Sequence, residues 1–152
     1  MKIYWAGPLF TTAERKWNLE CKYLLEELGH EVWLPQEKEP RQKTAHSIFQ
    51  MDVDGIDQAD IVVAVMDQPD PDSGTCWEMG YAWANKMPIV TIRTDFRGSG
   101  DDRDAKFNLM MWSSATVNIH MPSAETIDII MAVHRALEDI KVGRVKYPVS
   151  VF

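Results

Sequence analysis

The chain has 152 residues, 45% of them hydrophobic and 10% aromatic, and carries a net charge of −7. That is one domain's length of chain with enough apolar side chain for a real core, so global disorder is excluded and a single domain over residues 1–152 is expected. So acidic a chain is poorly suited to phosphate backbones, and no apolar run approaches a membrane span, so neither nucleic acid nor membrane is an expected partner.

The N-terminus enters an ordered pattern directly, without the features of a secretion signal. Together with only two, widely separated cysteines, Cys21 and Cys76, this predicts a cytoplasmic protein with reduced thiols. The four histidines, at positions 30, 46, 120 and 134, are scattered and show no metal-ligand spacing.

Residues 2–6, "KIYWA", read as a short buried strand ended by Gly7-Pro8. Thr11 to Glu14 form a capping box for a helix whose apolar positions Trp17, Cys21, Leu24, Leu25 and Leu28 share one stripe, with Gly29 as its stop. "HEVWLP" is a second strand, followed by a charged surface loop over 36–43. A helix is predicted over 44–58, with Ile48, Met51 and Ile56 inward and Gly55 against it. "DIVVAVM", 60–66, is apolar on both faces, as a central parallel strand is.

A loop, "DQPDPDSG", leads to a helix over 75–86, and "PIVTIRT" is a fourth strand. The polar segment 95–106 reads as a mobile loop or lid, 107–115 as a short helix, and "TVNIHM" as a fifth strand. Ser123 is the expected cap of a last helix reaching about residue 140. Strands alternate with helices throughout, which predicts an α/β fold: a flavodoxin-like, doubly wound, five-stranded parallel sheet of order 2-1-3-4-5 with helices on both faces.

Such sheets bind ligands beyond the carboxyl ends of their strands, at the switch point between the first and third. That crevice receives Tyr4 and the loop Gly7-Pro8-Leu9-Phe10 from the first strand. From the third it receives "DSGTCWEMG", with Asp72 and Glu78. Two readings of Glu78 stay open. Thr75 to Glu78 is itself a capping-box sequence, and Asp72 is a common turn residue. Alternatively, the two carboxylates face one substrate, with the helix N-terminus helping to keep Glu78 ionised as a nucleophile. Cys76 is a rival nucleophile, since a helix start lowers a thiol's pKa, but no histidine stands near it in sequence as a base. "DVDG", 52–55, lacks the remaining ligands of a calcium loop. Neither GxGxxG nor a P-loop is present, which argues against dinucleotide and nucleotide triphosphate chemistry.

Taken together, "KIYWAGPLF", "MDVDGIDQADIVVAVM", "DSGTCWEMGYAWANKMPIV" and "FNLMMW" resemble the nucleoside 2-deoxyribosyltransferases along nearly the whole chain. The resemblance implies base exchange at C1′ of 2-deoxyribose by double displacement. It implies Glu78 as nucleophile, Tyr4 orienting it, and Asp72 holding the base and assisting its departure as an acid. Asp52 matches a second aspartate at the base. Gly7, Phe10, Met110 and Phe152 fall on substrate-contacting positions, Phe152 standing where many members end in tyrosine. Asn108 matches a residue donated by a neighbouring subunit, which implies a homo-oligomer with shared sites. The partners implied are 2′-deoxynucleosides and free nucleobases, with no cofactor and no metal. The apolar Gly7–Phe10 loop favours an unphosphorylated substrate, whereas Arg97 and Arg103 in the 95–106 loop are phosphate-capable. The alternatives are a 2′-deoxynucleoside 5′-phosphate N-hydrolase and a non-catalytic nucleoside- or nucleotide-sensing module.

Overall fold

In the computed structural model, which describes residues 1–101 and 103–145, strands β1 (Lys2–Ala6), β2 (Glu31–Trp33), β3 (Ile61–Val65), β4 (Ile89–Arg93) and β5 (Val117–His120) form one sheet. The strands pair in the order β2-β1-β3-β4-β5 and every pair is parallel. This is the expected flavodoxin-like order. Helices α1 (Thr12–Glu27), α2 (Ala45–Asp57), α3 (Ser73–Ala84), α4 (Leu109–Ser114) and α5 (Thr126–Lys141) connect or follow them. A 3-10 turn at Pro35–Glu37 occupies part of the predicted 36–43 loop.

Alternation along the strands divides the core into two layers, because successive side chains point to opposite faces. Ile3 and Trp5 of β1, with Val63, Val65, Val90 and Ile92, pack against Cys21 and Leu25 of α1 and Ile129 to Leu137 of α5. Tyr4 and Ala6, with Val62, Ala64 and Met66, pack against Ile56 of α2, Met79 and Ala82 of α3, and Phe107. All five residues of β3, and all five of β4, are buried.

Gly55, which counts against a helix by propensity, is required by packing. A Cβ there would lie 2.5 Å from Nε1 of Trp33, so only glycine lets α2 rest on the β2 indole. Two expectations fail. Ser123 does not cap α5: it sits in a left-handed turn (φ 59°), and Glu125 is the N-cap, without a side-chain bond. Ile48 is not inward but 39% exposed, because the face of α2 that carries it borders a cavity rather than the sheet.

Candidate active site

Helix α3 removes the capping reading of Glu78. Its N-cap is Asp72, not Thr75: Asp72 Oδ2 accepts from the Thr75 amide at 2.9 Å and from the Thr75 hydroxyl at 3.2 Å. The helix therefore starts two residues before the predicted position. Glu78 falls in its second turn, and the Thr75–Glu78 capping box does not exist. The carboxylate is left for another partner, and the Tyr4 hydroxyl donates to Glu78 Oε1 at 2.6 Å. Tyr4 is fully buried on β1, so the phenol is a fixed donor, and a hydrogen bond to a carboxylate is stronger than a neutral one.

The expected help from the helix N-terminus does not reach Glu78, because that effect fades beyond the first turn. Burial dominates instead and pushes the Glu78 carboxyl up to about 8. The Tyr4 bond acts against burial, while the charges of Asp52 and Asp72 add to it. Asp52, on α2, is likewise pushed up to about 6 by burial, and its Oδ1 is buried with no hydrogen-bond partner among the described residues. Asp52 and Glu78 line one cavity of about 330 Å³ with Phe49, Gly74 and Trp77, a size suited to a small ligand. A second cavity, of about 240 Å³, shares Asp52 and adds Leu9, Ile48 and Met51. Phe49 and Trp77 meet edge to face at 5.2 Å, and Trp77 stacks on Tyr81 at 5.4 Å. An aromatic wall thus stands beside two acids, Glu78 and the Asp52 that lacks a partner at Oδ1 among the described residues, a setting fit for a flat, hydrogen-bonding ring.

Cys76 is not activated. Burial pushes its thiol up to about 11, with Asp72 and Asp70 adding to that, and its Sγ contacts the Pro71 carbonyl at 3.6 Å. The helix-start effect expected for it is overridden.

Of the other predicted site residues, Gly7 ends β1 against β3: a Cβ there would stand 3.1 Å from Val65 Cγ2. Phe10 is 76% exposed, and it is Leu9 of that loop that borders Asp52. Asn108 is exposed and caps α4, its Oδ1 accepting from the Met110 amide at 3.0 Å. Met110 is 73% exposed and lines an apolar cavity of about 310 Å³ with Cys76, Met79, Gly80, Trp83 and Met111. Met110 thus lies across α3 from the Glu78 cavity, and neither it nor Asn108 lines that cavity among the described residues. Phe152 lies outside the described residues. Arg97 is engaged by Asp95, Nε to Oδ1 at 2.9 Å and Nη2 to Oδ2 at 2.5 Å, and Arg103 is exposed.

Three residues that hold the site's loops escape a reading of motifs. Asn18, buried in α1, accepts from Trp5 Nε1 and donates to the Pro8 carbonyl, both at 3.0 Å, fixing the β1–α1 loop. The fully buried guanidinium of Arg93 donates to the carbonyls of Met66, Gln68 (3.1 Å) and Arg97 (2.7 Å), tying the β3–α3 loop to the 95–106 loop. Asp67 returns the tie, accepting from Thr94 and Asp95 amides at 2.6 and 2.9 Å. The available signals were an amide within an apolar stripe and an arginine closing an apolar strand.

A parallel sheet carrying paired acids at its switch point defines the class, and comparison with known proteins supplies the family. The family model for nucleoside 2-deoxyribosyltransferase matches residues 3–110, and the chain belongs to that family. Among solved structures it is similar to a conserved protein from Enterococcus faecalis V583, with 26% identity over 90% of this chain and 98% of that one and a TM-score of 0.67. It is also similar to a 2-deoxyribosyltransferase from the psychrotolerant bacterium Bacillus psychrosaccharolyticus, at 26% identity over 88% and 96% with a TM-score of 0.66. A 2-desoxiribosyltransferase from Leishmania mexicana matches at 25% identity over 72% and 84%, TM-score 0.61. Comparison with curated protein sequences gives no match. Among the described residues, no helix is long and apolar enough to cross a membrane.

Proposed function

We propose that this chain exchanges nucleobases between 2′-deoxynucleosides by double displacement through a deoxyribosyl ester of Glu78. The observation that carries the reading is the bond from the Tyr4 hydroxyl to Glu78 Oε1, in a cavity also lined by Asp52. In the first half-reaction a Glu78 carboxylate oxygen bonds to C1′ as the C1′–N bond breaks. The electron pair goes to the base nitrogen, which takes a proton from Asp72. In the second, an incoming base attacks C1′ and returns its proton to Asp72, and the ester bond breaks to restore the carboxylate.

Glycosidic cleavage develops positive charge on the sugar, so an anion beneath it stabilises the transition state before capturing it. The high resting pKa of Glu78 fits this role: the free site resists the anion, and the developing sugar charge favours it at the moment it is needed. Tyr4 points one carboxylate oxygen and leaves the other for C1′. Asp52, held near 6 by burial and unpartnered at Oδ1, is a second proton-bearing contact for the base edge. Neither half-reaction needs a cofactor or a metal.

The exposed Leu109 and Met110, the latter sharing a cavity with the exposed Trp83, support assembly into a homo-oligomer in which Asn108 serves the neighbour's sugar. Mixing Glu78→Ala with Asn108→Ala protein after dissociation and reassembly then restores activity. Mixed oligomers that stay inactive refute the sharing.

Incubating deoxyinosine with adenine tests the function itself. Deoxyadenosine is the expected product, with inosine reacting far more slowly because a 2′-hydroxyl destabilises the cation-like sugar. Free deoxyribose as sole sugar product makes the chain a hydrolase, and no turnover makes it a binding module.

A further inference from the structure

The histidines that looked scattered in sequence include a pair that folding brings together. His30 follows α1 and precedes β2, and the residue is 7% exposed. His134 and Glu138 stand one turn apart on α5. His30 Nε2 lies 2.9 Å from His134 Nδ1, with the ring planes inclined at 63°. The candidate ligand atoms of His30, His134 and Glu138 all lie within 4.8 Å of one another. From these positions we infer a transition-metal site, formed by His30 Nε2, His134 Nδ1 and the Glu138 carboxylate, that clips α5 to the turn between α1 and β2.

Without a metal, one proton bridges the two imidazoles. Among the described residues His30 Nδ1 is buried and unpartnered, so the bridging proton sits on His30 Nε2 to avoid burying an N–H with no acceptor. That arrangement gives Glu138 no part. The carboxylate is 3.5 Å from Lys141 Nζ in a partly exposed pair, an interaction worth little. A metal in place of the proton uses all three groups. Two nitrogens at about 2.0–2.1 Å from one ion stand about 2.9 Å apart when they subtend a right angle. The pair is therefore already spaced for adjacent positions on one ion, and opening by about half an ångström gives the tetrahedral spacing.

The donor set also selects the ion. Two of the three donors are neutral imidazoles, and Glu138 brings a single negative charge that it shares with Lys141. A hard ion held mainly by charge, such as magnesium or calcium, gains too little here. Zinc, cobalt(II) or nickel gain from bonding to imidazole. Three protein ligands on a partly exposed helix face leave a position for water. The cluster lies by the start of β2, at the opposite end of the sheet from Tyr4 and Glu78, so its role is to hold α5, and it stands or falls independently of the proposed transfer chemistry.

The test uses the full chain without a histidine tag, stripped with EDTA and dialysed. Zinc titration followed by calorimetry is expected to give one ion per chain, reversible by EDTA. A hundredfold excess over the dissociation constant is expected to raise Tm by about 5–10 °C. Since loss of a supporting partner alone costs 10- to 100-fold in affinity, loss of a ligand in His134→Gln or Glu138→Gln is expected to cost at least about 100-fold for the histidine and about tenfold for the carboxylate. The exposed His46→Gln keeps wild-type affinity. In the wild type, imidazole NMR signals of His30 and His134 shift with zinc and those of His46 and His120 do not, which tests the site even where a variant fails to fold. No stoichiometric uptake of zinc, cobalt or nickel, or uptake that moves the signals of His46 or His120 instead, overturns the site.

Discussion

The two faces of the sheet are built from the same strands yet differ in kind. Among the described residues, sixteen buried hydrophobic side chains close into one layer on the α1/α5 face, and its buried amide, Asn18, is fully bonded. On the α2/α3/α4 face the corresponding layer has ten. There the buried region holds the Tyr4–Glu78 bond and an unpartnered oxygen of Asp52, while Phe49, Trp77, Trp83 and Met110 stay exposed. The first face is one where side chains largely satisfy one another, the buried Nδ1 of His30 beside α5 being the exception among the described residues. The second carries a buried carboxylate oxygen, on Asp52, without a partner among the described residues, and burying such a group costs free energy that the proposed ligand would recover.

The comparison breaks most visibly at Glu78. Glu78→Gln is expected to lower turnover by about 10⁴-fold or more, since the amide keeps the shape but cannot form the ester, with an unchanged circular dichroism spectrum. The same variant is expected to be more stable than wild type at pH 8. A carboxyl raised from 4.5 to about 8 by burial costs the fold stability as pH rises between those values, because the unfolded chain releases its proton first. The gain is therefore absent below about pH 4.5 and largest above pH 8, read as a Tm difference of several degrees. Equal melting curves across this range contradict the burial of Glu78.

Asp72→Asn follows in size. A loss of about 10²- to 10⁴-fold is expected for natural bases and little for nucleosides with good leaving groups, because an amide cannot deliver a proton. Equal losses for both make Asp72 a positioning group. Tyr4→Phe is smaller, about tenfold in kcat, with a Glu78 carboxyl that titrates at still higher pH because the bond lowering its pKa is gone. Carboxyl infrared bands read that shift directly. The least effect on chemistry belongs to the dry face. Leu25→Ala is expected to cost about 2–5 kcal/mol of stability with KM unchanged, whereas Met110→Ala, at a 73% exposed position, changes monomer stability by less than about 0.5 kcal/mol and weakens assembly, as sedimentation would detect.

The fold was legible because its signals are local. Apolar runs at 2–6 and 60–66, capping residues such as Thr11 and breaks such as Gly29 specify each element, and alternation of strand and helix leaves few topologies. The pairing of Tyr4 with Glu78 was legible only as far as topology brings the first and third strands together. The start of α3 was misplaced because Ser73 and Gly74 read as loop, and the competition between Asp72 and Thr75 as caps is settled by geometry that spacing does not contain. For the same reason the ionisation of Glu78 was misjudged: burial, which composition does not reveal, outweighs the helix end. The His30–His134 contact spans 104 residues and leaves no local trace beyond the i, i+4 spacing of His134 and Glu138.

The ester on Glu78 can be observed directly. A 2′-fluoro-substituted nucleoside slows both half-reactions and lets the intermediate accumulate. Intact-mass analysis is expected to show one fluorinated sugar added per chain, peptide mapping to place it on Glu78, and a second nucleobase to discharge it. An adduct on Cys76, or continued base exchange with no adduct at any residue, would contradict Glu78 as the nucleophile.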